Sequence, residues 1–296
     1  SGTAASEATM LGAHTDLWAP LEGRFSSLAR ALDLTRLAPP LRRAYHRLGS
    51  VKPEIAAAAG LGADVGVLCG IHDSNASLLP HLASRQAPFT ILSTGTWVIL
   101  MAVGLGVDQL DPADDTLANV DVEGRPVACA RFMGGREYSE IVAGAPASPD
   151  AASLARVIGA GVMALPCFAG QGGPFAARKG EIRGRLDEAD RPALATLYLA
   201  LMSELMLTRL GVVSGDLIVE GSLAANPAYC ALLAALRPTQ PVSAASDAAG
   251  TARGAALLAQ WPPRDFHPPP PKPVRPIAVE GLDPYRQAWT RAVLGA

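Results

Sequence analysis

Between residues 187 and 236 the chain allows few readings of its backbone. Leu194, Leu197, Tyr198, Leu201 and Leu205 recur at the spacing of one helical face, predicting a helix over 190–210. Asp187 or Asp190 can cap it, Pro192 suits its first turn, and Gly211 ends it. "DLIVEG" then reads as a strand, and Asn226-Pro227 opens a second helix over 227–236.

The same alternation extends both ways. "DVGVLCG" (64–70) reads as a strand buried on both faces, with a helix over 74–82 behind it. "PVSAA" reads as a strand ahead of a helix over 250–260. Residues 88–103, "PFTILSTGTWVILMAV", are two β-branched, aromatic-containing segments around Ser93-Thr94-Gly95-Thr96, the pattern of a hairpin. "RPVACARF" predicts a strand after the acidic loops that begin at 104, and "VMALPCFAGQGGPFAARKGEIRG" a strand running into a long glycine-rich loop. Near the start, Ser6 is a candidate cap for a short helix, and Phe25, Leu28 and Leu32 share a helical face. "WPPRDFHPPPPKP" holds neither helix nor central strand and reads as a stiff connector before a last helix over 283–293. Strands alternating with helices predict an α/β fold.

Composition narrows the function classes. The 296 residues suffice for one large domain or two medium ones, and 49% hydrophobic against 18% charged residues suits a packed soluble protein. A formal charge of −2 argues against nucleic acid and against a basic membrane-binding face. Cys69, Cys129, Cys167 and Cys230 form no C-x-x-C pair, and the histidines at 14, 46, 72, 81 and 267 show no metal-ligand spacing. The apolar runs fall short of a membrane span and no export pattern opens the chain, so the expectation is a cytoplasmic protein.

Several loops suit anion chemistry, each with a plainer alternative. In "STGTW", Gly95 clears a turn while Ser93, Thr94 and Thr96 supply hydroxyls, as a phosphate cradle needs; an ordinary hairpin turn needs no more. In "IVEGSLAANPAY", Gly221 and Ser222 leave a strand ahead of Asn226, suiting a nucleoside or simply a capped βα turn. Gly250 and Gly254 share a helical face and suit close helix packing. In "GVLCGIHDSNASLLPHL", Asp73 stands where a turn meets a helix, either as a cap or as a carboxylate that the helix dipole favours in its charged form. His72 reads as its neighbour in the turn. Arg178, Lys179, Arg183 and Arg185 either neutralise phosphates or form a solvated face, and "FMGGREY" reads as a turn in which Arg136 and Glu137 pair.

The order of these loops, from "CGIHDSNASL" and "ILSTGTWVILM" through "CFAGQGGPFAARKGEIRG" to "IVEGSLAANPAY" and "DAAGTARGAALLA", resembles the FGGY carbohydrate kinases over residues 6 to about 260. "LSTGTWVILM" and the "HD" pair look like the fuculokinase and rhamnulokinase side of that family. The resemblance implies actin-like, RNase H-like ATPase domains and transfer of a phosphoryl group from ATP, with Mg2+, to a sugar hydroxyl such as that of L-fuculose or L-rhamnulose. It implies Asp73 as the base, with His72 beside it at the sugar. Thr94 and Gly95 match a phosphate turn, and Gly221, Ser222 and Ala225 or Asn226 an adenosine loop, while Gly250 and Gly254 match the helix that closes the nucleotide domain. The family's metal-binding aspartate goes with a first phosphate loop that has no match in this sequence, so no residue here is assigned as a metal ligand, and a homodimer is allowed. The implied domains are 1–83, the end of a sugar-binding domain; 84–262, the nucleotide-binding domain; and 263–296, the connector and last helix.

Two departures stand beside the resemblance. The D-x-G-[ST]-[ST] hairpin with which such kinases begin is absent, and "SGTAASEATM" looks like the middle of their first domain. The expectation is therefore a fragment, or a protein whose first half lies outside this sequence. "GQGGPFAARKG" matches the family's GER-x-P loop only loosely. The alternatives to an active kinase are a catalytically silent nucleotide- or sugar-binding member of the fold and a plain scaffold.

Overall fold

The helix predicted over 190–210 spans Arg191–Arg209 in the computed structural model, which describes residues 1–13, 15–144, 149–245, 250–263 and 265–295. Expectations that touched His14, Arg264, the 145–148 loop and 246–249 at the head of "DAAGTARG" lie outside the described residues. Every residue from Pro192 to Ser203 is buried, so this helix is enclosed rather than amphipathic. Pro192 sits in its first turn, as predicted. Neither acid caps it: Asp190 instead accepts from Arg156, through Nη2 at 2.6 Å and Nε at 3.1 Å, and Asp187 makes no side-chain cap bond.

This helix packs in the core beside a seven-stranded mixed sheet. The strands are β1 (Phe89–Thr94), β2 (Val98–Val103), β3 (Thr116–Val120), β4 (Pro126–Phe132), β5 (Asp216–Gly221), β6 (Val242–Ala244) and β7 (Lys272–Pro273). Their order is β7-β6-β5-β1-β2-β4-β3. β1 and β2 form the predicted hairpin, Thr94 opposite Val98. β5 runs parallel to both β1 and β6, with Gly221 in register with Thr94. The carboxyl ends of β1 and β5 therefore finish side by side, where ligands of α/β sheets are commonly held. β7 is a correction to the connector reading: Lys272 and Pro273 pair antiparallel with β6, and proline is tolerated because this is the sheet edge.

The described chain divides into two units. Unit one comprises Ser1–Gln86, Ala118–Val127 and Ala249–Pro268; unit two comprises Ala87–Leu117, Ala128–Ala248 and Pro269–Ala296. Unit two holds the large core, from Leu92 and Leu100 through Tyr198 to Trp289, and includes the last helix, Leu282–Leu294.

Among the described residues unit one has a smaller core, including a cluster of Ala44, Leu79, Val122, Leu257 and Leu258. Three expectations fail here, two of them where little core covers the segment and one where a neighbouring side chain takes the cap. Residues 64–70 give only a short strand, Gly66–Leu68, partly exposed and paired with Arg47–Ser50 rather than buried on both faces. Leu28 and Leu32 stay exposed beside the five-residue helix Ser27–Ala31, and Phe25 lies on a short strand. The first helix, Ala8–Gly12, is capped by Glu7, whose carboxylate accepts from the Thr9 and Met10 amides at 2.9 and 3.2 Å; Ser6 instead bridges Leu41 through its backbone.

The firmest packing in unit one joins the helices Asp73–Ser84 and Gly250–Leu257. Pro80 has no N–H to give the Ala76 carbonyl four residues back. Gly254 comes against that same carbonyl: a Cβ there would lie 1.7 Å from the Ala76 oxygen. Close helix packing, one of the two readings of this glycine, is what the geometry displays.

Candidate active site

In unit one, Asp73 is the first residue of its helix and His72 holds the cap position. The short strand Gly66–Leu68 leads there through Gly70, which has φ +91. The His72 amide donates to the Thr9 hydroxyl at 3.0 Å, fixing the turn. Asp73 is not the cap of its helix. Its Oδ1 accepts only from neighbouring Ser74, through N–H at 2.6 Å and Oγ at 3.3 Å, and lies 3.3 Å from His72 Nδ1. With its side chain 77% exposed, Oδ2 faces outward with no partner among the described residues. The arrangement leaves one carboxylate oxygen available to accept a proton.

Nearby, burial raises the Glu7 carboxyl above its ordinary value, while the bonds from Thr9 oppose that rise. Burial likewise raises the Cys69 thiol, keeping it a poor nucleophile.

In unit two a cavity of about 470 Å³ opens where β1 and β5 end. Gly95 and Thr96 line it from the β1–β2 turn, and Ser222, Leu223, Ala225 and Asn226 from the loop behind β5. Gly135, Arg136, Tyr138 and Ser139 line it from the helix Gly134–Val142.

The sequence-predicted residues divide by what they touch. Gly95, Ser222, Ala225 and Asn226 are brought together at the cavity. Thr94 is behind it and buried; its hydroxyl donates to the Glu220 carbonyl and accepts from the Leu223 amide at 2.9 Å, tying β1 to the loop after β5. Gly221, at φ +79, passes so near β1 that a Cβ would lie 1.9 Å from the Thr94 carbonyl oxygen. Only glycine combines that conformation with that approach. At Gly95, by contrast, a Cβ would meet nothing, so its bare backbone faces open space. Asn226 caps the helix Pro227–Leu236 through the Tyr229 amide at 3.1 Å and donates to the Thr196 hydroxyl at 3.1 Å.

"FMGGREY" needs the largest correction. It starts a helix, Gly134–Val142, and Arg136 and Glu137 do not pair. Glu137 is buried, accepting from the Phe168 and Ala169 amides at 2.9 and 3.4 Å and from the Tyr198 hydroxyl at 2.6 Å. Burial, followed by the charge of Glu137, raises the Tyr198 hydroxyl well above its ordinary range, so it acts as a donor and not as an acid. Gly135 allows the helix to start against the β1–β2 turn, since a Cβ there would lie 2.0 Å from the Gly95 carbonyl oxygen. Gly135, Arg136, Tyr138 and Ser139 are cavity residues that sequence reasoning missed; the signal was a Gly-Gly pair directly behind a strand.

The basic run flanking the glycine loop does not reach the cavity. Arg178 donates to the Val293 carbonyl and lies over Phe175, and exposed Arg183 pairs with Glu181 at 2.9 Å. The loop itself is anchored by carboxylates: besides Glu137, Asp115 accepts from the Gly173 amide at 2.7 Å.

Among the described residues no group of three His, Cys, Asp or Glu side chains is placed to hold a metal ion, and no carboxylate lines the cavity. No helix among them is long and apolar enough to cross a membrane.

Residues 86–268 match the family model described as Carbohydrate kinase FGGY, C-terminal domain. Among solved structures, a carbohydrate kinase from Novosphingobium aromaticivorans is 36% identical over 99% of this chain and 66% of that one, with a TM-score of 0.83. A xylulose kinase from Brucella ovis is 23% identical over 99% and 65%, at 0.72. A Plasmodium falciparum glycerol kinase solved with ADP shares the fold at 13% identity over 98% and 63%, also at 0.72. The chain thus spans just under two thirds of the length of these proteins. No curated protein sequence matches it.

Proposed function

The chain belongs to the FGGY carbohydrate kinase family, and from that premise we propose that it serves the transfer of a phosphoryl group from ATP to the hydroxyl of a ketose or deoxyketose, with L-fuculose, L-rhamnulose and D-xylulose as the first sugars to try. The observation that carries this reading is the unit-two cavity. Its lining brings bare glycine backbone and hydroxyls to the ends of two parallel strands and, among the described residues, holds no acid to repel a polyphosphate. A nucleoside fits the loop behind β5, where Ser222 and Ala225 are exposed and Asn226 fixes the loop's exit. Gly95 and Thr96 offer the turn to the phosphates.

Asp73 is the proposed base: the sugar hydroxyl oxygen bonds to the terminal phosphorus, its proton passes to the free carboxylate oxygen, and ADP leaves. His72 sits beside it on the sugar side. A positioned base is worth about 10²–10⁴-fold in rate, with phosphate positioning and charge neutralisation supplying the remainder. Among the described residues no three His, Cys, Asp or Glu side chains are placed to hold a metal ion, and none of these roles draws on one; in phosphoryl-transfer sites Mg2+ rides largely on the substrate phosphates.

An assay of ADP release against the three sugars tests the reading. Turnover with one of them is expected, and Asp73→Ala should lower kcat by about 10²–10⁴-fold with ADP affinity unchanged. An unchanged rate in that variant removes Asp73 from the role. ADP binding without turnover on any sugar favours the catalytically silent reading.

A further inference from the structure

Resting on the nucleotide reading of the unit-two cavity, we propose that Arg136 grips the phosphate chain of the bound nucleotide and sets the protein's preference for nucleoside polyphosphates over nucleosides. Among the ten described residues that line the cavity, Arg136 alone carries a charge. Its exposed guanidinium has no hydrogen bond or ion pair among the described residues.

That vacancy has a cause. The natural partner, Glu137, is the next residue, but its two oxygens are spent inside on Phe168, Ala169 and Tyr198. Other arginines of unit two are engaged: Arg131 with Asp115 at 2.9 Å, Arg209 with Asp114, and Arg191 with the Ile141 carbonyl at 2.9 Å. Arg136 is also held over the phosphate-turn candidate, its amide directed at the Thr96 carbonyl at 3.4 Å. A guanidinium with no anion among the described residues, fixed at its backbone beside a turn and lining a cavity whose described residues include no carboxylate, is complementary to a ligand that brings its own negative oxygens. Its fork matches two phosphate oxygens at once, and neither ribose nor base brings the negative charge that strengthens such a pair.

Calorimetric titration of adenosine, ADP and inorganic tripolyphosphate into the wild type, Arg136→Ala and Arg136→Lys tests the assignment. In Arg136→Ala, ADP and tripolyphosphate should weaken roughly ten- to a hundredfold at low salt, with adenosine held within about twofold. Arg136→Lys should recover part of the loss, a point charge replacing a fork. Added salt should erode the wild type's preference for ADP over adenosine and leave the alanine variant's nearly flat. ADP affinity unchanged in Arg136→Ala, or ADP and adenosine weakened by the same factor, overturns the role of Arg136 while the nucleotide reading stands. A wild type that binds neither ADP nor adenosine overturns the nucleotide reading, and this assignment with it.

Discussion

Two helices of this protein begin just behind strands, and their first turns are finished differently. At Asn226, in unit two, both ends of the side-chain amide are committed, one to the Tyr229 amide and the other to Thr196. At Asp73, in unit one, the carboxylate bonds only its neighbour Ser74 and leaves an oxygen in solvent. The first arrangement spends a polar side chain on holding a loop still; the second holds a carboxylate at a helix start without consuming it. The surroundings follow suit. Unit two closes around a large core, whereas in unit one Met10, Leu21, Leu28, Leu32, Leu37, Leu41, Ile55, Leu61 and Val65 remain exposed, against Val213 and Leu294 in the other.

Glycine substitutions strain the contrast most. Gly254→Ala drives a methyl to 1.7 Å from the Ala76 backbone oxygen, which cannot move without parting the two helices, so a loss above about 3 kcal/mol is expected. Gly221→Ala makes a similar clash with backbone, at 1.9 Å from the Thr94 oxygen, and adds strain at φ +79, so a comparable loss is expected, together with lost ADP binding. Hydrogen exchange reads both. Helix Asp73–Ser84 should lose protection in Gly254→Ala while Arg191–Arg209 keeps it; equal loss in both helices would mean that the units do not differ in stability as their cores suggest. A smaller effect sharpens the comparison of helix starts. Asn226→Ala should cost about 1 kcal/mol in urea unfolding, and Asp73→Ala less than about 0.5 kcal/mol, because only the first removes a cap.

The smallest effect concerns pH. Burial raises the Glu7 carboxyl in the folded state, so its contribution to stability is complete in acid and is lost as pH rises through the folded value. Glu7→Gln keeps an acceptor for Thr9 while removing that titration. Its stability relative to wild type should therefore increase from acid to neutral pH, and a difference independent of pH would contradict the burial argument.

What was legible in the sequence follows the same division. The Arg191–Arg209 helix, the β1–β2 hairpin and the run from β5 into Pro227–Leu236 are where apolar spacing and turn chemistry agree and a large core stands ready. Phe25, Leu28 and Leu32 had the same helical spacing, but periodicity says which residues share a face and not whether anything covers it. Arg136 and Glu137 were misjudged because adjacency suggested a pair, whereas Glu137's partners are Phe168, Ala169 and Tyr198, far along the chain. At the first helix the competition is local, with Glu7 capping in place of Ser6, but Asp190, like Glu137, is taken by a distant partner, Arg156. Long-range competition for a carboxylate leaves no trace in a local motif.

The contact of Gly254 with Ala76 has a consequence for synthesis. A ribosome delivers the chain in one direction, so the Asp73 helix emerges long before the helix that packs on it, with most of unit two made in between. At about 5–20 residues per second that wait lasts on the order of ten seconds. Through it the exposed Ala76 carbonyl, denied its N–H by Pro80, has only water for company. The proposed catalytic carboxylate therefore gains a settled helix beneath it only after most of unit two has been translated.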